Sequence, residues 1–91
     1  PVNIYHTWQG DLIIDLRSPS GTVVRLWNGS GGSSNNIIGT FADNGSSIYP
    51  YQSLSGFNGG SANGVWTLSI YDQWGLDSGT LNSWGVNITC N

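Results

Sequence analysis

The sequence predicts an all-β fold, a jelly-roll-like β-sandwich of about seven to eight short antiparallel strands. Three observations point there. Apolar residues recur at every second position over short runs, the period of a half-buried strand. Clusters of Gly, Ser, Asn, Asp and Pro separate those runs at intervals of about 8–12 residues. Composition removes the competing classes: Gly, Ser, Asn and Thr supply nearly half of the 91 residues, Lys, Glu and Met are absent, and 8% of residues are charged. Helix bundles draw on Leu, Glu, Lys and Met. Disorder needs few aromatics and a high net charge, whereas this chain carries five Trp, four Tyr and two Phe.

The elements follow in order. Residues 2–8 alternate between two faces and stop at Gln9-Gly10. Residues 12–16 place Leu12, Ile14 and Leu16 on one face. Ser18-Pro19-Ser20-Gly21 is a turn, with Pro pre-set for its second position and Gly for its fourth. Residues 22–27 lead out of that turn, so the second and third strands form a hairpin. A polar Gly/Ser/Asn loop covers 28–36, a short strand covers 37–41, and Asp43-Asn44-Gly45 breaks it. Residues 48–57 are irregular, and Pro50 confines any strand there to an edge. Asn58-Gly59-Gly60 and Asn63-Gly64 are turn signals. Residues 65–71 give the clearest strand, with Trp66, Leu68 and Ile70 facing in. After a turn region at 72–79, residues 81–89 close the chain with Trp84, Val86 and Ile88 on one face.

A chain of this length is one small domain that buries only about 60–65% of its unfolded surface. A thin core is expected to lean on the rings of Trp8, Trp27, Trp66, Trp74 and Trp84, each burying roughly 150–250 Å². Net charge is −3, from five Asp against Arg17 and Arg25. Two Arg make no basic stripe, so a nucleic-acid partner is excluded. No apolar run approaches the roughly 18 residues of a membrane span. The lone Cys90 leaves no internal disulfide and is expected as a buried or terminal thiol.

Three segments carry a family resemblance. His6-Thr7-Trp8-Gln9-Gly10-Asp11-Leu12 followed by Ser18-Pro19-Ser20-Gly21-Thr22, then Asn63-Gly64-Val65-Trp66-Thr67-Leu68, then Gly79-Thr80-Leu81-Asn82-Ser83-Trp84 together resemble the P domain. That domain follows the catalytic unit of kexin/furin-type proprotein convertases and of many bacterial secreted proteases. Each motif alone is weak; in this order and spacing they span nearly the whole chain. Animal convertases often carry Arg-Gly-Asp where Gln9-Gly10-Asp11 stands here, so no adhesion role transfers. Bacterial relatives often show acids where this chain has Asn35, Ala42, Gly60 and Ser61.

The resemblance implies that residues 1–91 are a single P domain from a larger secreted protease, a bacterial subtilisin-like or metalloprotease, with a serine-type endopeptidase as the favoured parent. It also implies one or two further strands upstream of Val2. The implied role is non-catalytic: docking on the covalently linked catalytic domain and supporting its folding and stability. The alternative is a module that anchors the protease on an insoluble protein or polysaccharide.

The residues themselves agree that catalysis is a poor expectation. His6 is the only His, no Gly-x-Ser-x-Gly occurs, and no Cys/His cluster or phosphate loop is present. His6 is expected to be a structural, hydrogen-bonding imidazole. Ca²⁺ seeks six to eight oxygens from Asp, Asn and carbonyl groups on loops. Asp72 and Asp77 share one turn region, Asp43 stands beside Asn44, and Asp11 is a third candidate. Plain turn chemistry competes with Ca²⁺ at each of them. Trp27, Trp74 and Tyr71 are the candidates for an exposed docking face. The Asn-x-Ser/Thr matches at Asn28, Asn44 and Asn87 are expected to be chance in so Asn- and Ser-rich a chain.

Overall fold

Strand alternation builds two sheets around one seam of aliphatic side chains. The computed structural model describes residues 1–6, 8–31, 34–43, 48–60, 62–73 and 79–87. Among them are six strands: β1 (Val2–His6), β2 (Leu12–Arg17), β3 (Val23–Asn28), β4 (Ile37–Gly39), β5 (Thr67–Asp72) and β6 (Gly79–Trp84). One sheet has the order β4-β1-β6 and the other β3-β2-β5, with every strand pair antiparallel. No α-helix occurs among the described residues; short 3-10 turns stand at Gln9–Asp11 and Leu54–Phe57. The fold is the expected all-β sandwich. Of the 48–57 stretch, one parallel bridge between Phe41 and Ile48 and the second 3-10 turn remain, in keeping with Pro50.

The β2–β3 hairpin forms as the turn residues dictate. The Gly21 N–H donates to the Ser18 carbonyl at 3.0 Å, and Gly21 takes φ +93°, which suits glycine. The Ser18 hydroxyl accepts from the Thr22 N–H at 3.2 Å, so the turn satisfies its own polar groups. Farther along the pair, register shifts between Ile14 and Asp15, leaving Leu26 as an extra residue on β3. This bulge lets both Leu26 and Trp27 reach the core.

The buried core is Val2, Ile4, Leu12, Ile14, Leu16, Val24, Leu26, Ile37 and Phe41. It corrects the expectation of a Trp-based core, because none of the described Trp is fully buried. Trp27 and Trp66 flank the seam, and each indole N–H donates to a main-chain carbonyl: Trp27 to Gln9 and Trp66 to Ala62, both at 3.1 Å. An indole needs such an acceptor when buried, and loop carbonyls lie only at the margin. Trp8 is exposed, and Trp84 is 36% exposed. Trp84 was expected inside; its pairing with Val2 turns it inward, but among the described residues it stays exposed.

That exposure follows from the β1–β6 register. Ile4 pairs with Leu81 and Asn3 with Ser83, so Asn82 is an unpaired bulge. Leu81 and Trp84, three residues apart, therefore lie on the same side as Ile4 and Val2. All six residues of β6 are nonetheless exposed. β6 is the outer strand of its sheet and β5 the outer strand of the other. Among the described residues the inward side chains of β1, β2 and β4 are buried while those of β6 are exposed, which leaves the sandwich open at β6.

Candidate functional site

His6 is the sole imidazole, and its side chain is 2% exposed. Its Nδ1 accepts the Trp8 N–H at 3.0 Å, so the ring proton resides on Nε2. Nε2 in turn donates to the Asp72 carboxylate at 2.8 Å. The alternation that puts Val2 and Ile4 inside also puts His6 inside, and Leu12 pairing with Asp72 brings the acid to the inner face of β5. Both ring nitrogens are thus engaged, and the Nε2 bond joins β1 to β5. The imidazole is the structural, hydrogen-bonding group the sequence led us to expect.

Of the candidate metal ligands, Asp11 and Asp72 stand on adjacent segments where β2 pairs with β5. Asp43 accepts the Leu54 N–H at 3.0 Å and the Ser53 hydroxyl at 2.8 Å. Those donors, the Leu54 amide foremost, hold the Asp43 carboxyl below the ordinary carboxylate range. Asp11 is buried on the Gln9–Asp11 turn, where its carbonyl accepts the Gln73 N–H. Asp72 faces His6. Among the described residues no three His, Cys, Asp or Glu side chains group together. Asp77 and Asn44 lie outside the described residues.

Of the aromatic candidates, Trp27 packs edge-on against Phe41, with ring centroids 6.4 Å apart. With its N–H also held by Gln9, it supports the core. Tyr71 is exposed on the outer face of the β3-β2-β5 sheet. Trp74 lies outside the described residues. Nearby, Arg25 pairs with Asp15 through two hydrogen bonds of 2.9 and 3.3 Å, and that contact raises the guanidinium pKa further.

What the sequence did not single out is the opening beside β6. A groove of about 730 Å³ runs there, lined by Leu16, Phe57, Trp66, Leu68, Trp84 and Val86 among others. Phe57 and Trp66 pack edge to face in it, 5.2 Å apart. Asn58 and Asn87 stand at its rim, and among the described residues no charged side chain lines it. Both its size and its apolar lining fall within the range of binding sites. Its lining is gathered from Val2 of β1, Leu16 of β2, Leu26 of β3, Leu68 of β5 and Trp84 of β6, so no single run of sequence signals it.

Fold and groove together define a small β-sandwich module with one open apolar side. The proprotein convertase P-domain family matches residues 1–88, and the chain belongs to that family. It is similar to leupeptin-inactivating enzyme 1 of Streptomyces exfoliatus, with 44% identity over 85 residues, covering 93% of this chain and 17% of that protein. It is also similar to the transglutaminase-activating metalloprotease of Streptomyces mobaraensis, with 38% identity over 84 residues, covering 91% of this chain and 10% of that protein. The chain thus spans less than a fifth of the length of these curated relatives. No solved structure matches it. No helix among the described residues is long and apolar enough to cross a membrane.

Proposed function

We propose that this P domain is a non-catalytic accessory domain of a secreted protease, docking on the covalently linked catalytic domain and supporting its folding and stability. The observation that carries this reading is the uncharged groove beside β6, in a chain that occupies so small a part of its relatives. An apolar opening of this size suits contact with a neighbouring domain better than exposure to water. Because one relative is named a metalloprotease, the proposal leaves the parent's catalytic class open and does not favour a serine enzyme.

The test is to produce the parent protease with and without residues 1–91, and with Trp84→Asp in the groove. Lower yield and a lower melting temperature are expected for both altered forms. Equal folding and melting in all three would overturn the proposal. A second reading, anchoring on an insoluble protein or polysaccharide, is favoured by Tyr49 and Tyr51, which stand exposed on either side of Pro50. Retention of the protease on collagen or polysaccharide that is lost in Tyr49→Ala/Tyr51→Ala but kept in Trp84→Asp would support that reading instead.

A further inference from the structure

Four Asn-Gly pairs occur in the sequence, at Asn28, Asn44, Asn58 and Asn63. This dipeptide is chemically labile, because glycine has no Cβ to shield its nitrogen from the preceding carboxamide. In the reaction the Gly nitrogen forms a bond to the Asn Cγ and loses its proton, and the side-chain amide leaves as ammonia. Water then opens the cyclic imide at either carbonyl, leaving an aspartyl or isoaspartyl residue. The reaction needs no other co-reactant. It does need a backbone free to swing and a glycine nitrogen that is not already engaged.

The structure separates three of the pairs; Asn44 lies outside the described residues. At the end of β3, the Asn28 side-chain oxygen accepts from Arg25 at 3.1 Å, and the Gly29 N–H donates to the Leu12 carbonyl at 2.8 Å. The nucleophile there is occupied. Gly64 lies against Pro19, so closely that a Cβ built on it would stand 2.8 Å from the proline's Cβ. That crowding opposes the swing at Asn63. Asn58 is exposed, and Gly59 at φ +83° has nothing within 4 Å of where a Cβ would sit. The turn bonds nearby are the Asn58 N–H to the Ser55 carbonyl at 3.0 Å and the Gly60 N–H to the Phe57 carbonyl at 3.3 Å, and neither engages the Gly59 nitrogen.

We propose that Asn58-Gly59 is a site of spontaneous deamidation, and that the product regulates the groove on whose rim Asn58 stands. The new carboxylate is ionised at neutral pH. Among the described residues it would be the first charged side chain in that lining, and a charge covered by an apolar partner without a counter-ion is strongly disfavoured. Deamidation therefore weakens docking as the protein ages. This second half rests on the docking reading above; the modification itself does not.

The experiment holds the purified protein at mildly alkaline pH and follows each Asn by peptide mapping with mass spectrometry. Asn58 is expected to convert roughly 5–30-fold faster than Asn28, the factor that one extra hydrogen bond to break supplies, and also ahead of Asn63. In denaturant the three rates should converge. Equal rates in the folded protein, or an unchanged ranking after unfolding, would overturn the site. For the regulatory half, the parent protease carrying Asn58→Asp should melt below the one carrying Asn58→Ser. Equal melting would overturn the regulation and leave the modification standing.

Discussion

On β2, Leu12, Ile14 and Leu16 are between 0 and 8% exposed, whereas on β6 Leu81 and Trp84 face the same interior and are 41% and 36% exposed. Both strands carry apolar residues toward the seam, and both belong to three-stranded sheets. They differ in position. β2 is central, flanked by β3 and β5, while among the described residues β6 has a neighbour on one side only. Burial in a sandwich this small is set by what stands opposite as much as by the side chain itself. The open side is where a larger neighbour can add apolar contact, and the closed side is where the domain holds itself together.

Substitutions can break that comparison. Ile14→Ala on the closed side should cost about 2–5 kcal/mol, as large-to-small changes at fully buried sites do. Leu81→Ala on the open side should cost about 0.5 kcal/mol in the free domain, as an exposed change does. Urea denaturation of both variants measures the gap. Similar losses would mean that β6 is as well covered as β2.

A smaller effect is expected at the clasp between the sheets. Asp72→Ala leaves the buried His6 N–H without its acceptor and should cost about 1–3 kcal/mol. Asp72→Asn keeps an oxygen in place and should recover most of that loss. Equal destabilisation by the two variants would show that the hydrogen bond to His6 is not what matters there.

The smallest effect belongs to the exposed Asp43 carboxyl. Its carboxyl is held below its ordinary value of 3.8 in the folded protein. A depressed carboxyl contributes stability above the unfolded pKa and loses it as pH falls through the folded one. Below about pH 4 the unmodified protein should therefore lose a small increment of stability that Asp43→Asn does not lose. Urea midpoints for the two proteins across that range make the comparison, and parallel curves would remove Asp43 from the acid response.

Much of this was legible in the sequence. The β2–β3 hairpin follows from Pro19 and Gly21 at fixed turn positions, and Leu12, Ile14 and Leu16 alternate as they pack. His6 was legible too, since strict alternation from Val2 places it inside. The exposure of Trp84 was not, because local period reports which face a residue takes and not whether a second layer covers that face. Nor was the inward turn of Trp27, which depends on the bulge at Leu26. The groove is lined by residues from Val2 to Val86, brought together only by the tertiary fold, so no local pattern announces it.

The His6–Asp72 contact has a use in observation. The protein has one imidazole, its ring proton is buried, and it points at a carboxylate 2.8 Å away. Such a proton exchanges slowly with solvent and resonates far downfield of the amide region in a proton magnetic resonance spectrum. A single resolved line therefore reports whether the two sheets remain joined, without any label introduced.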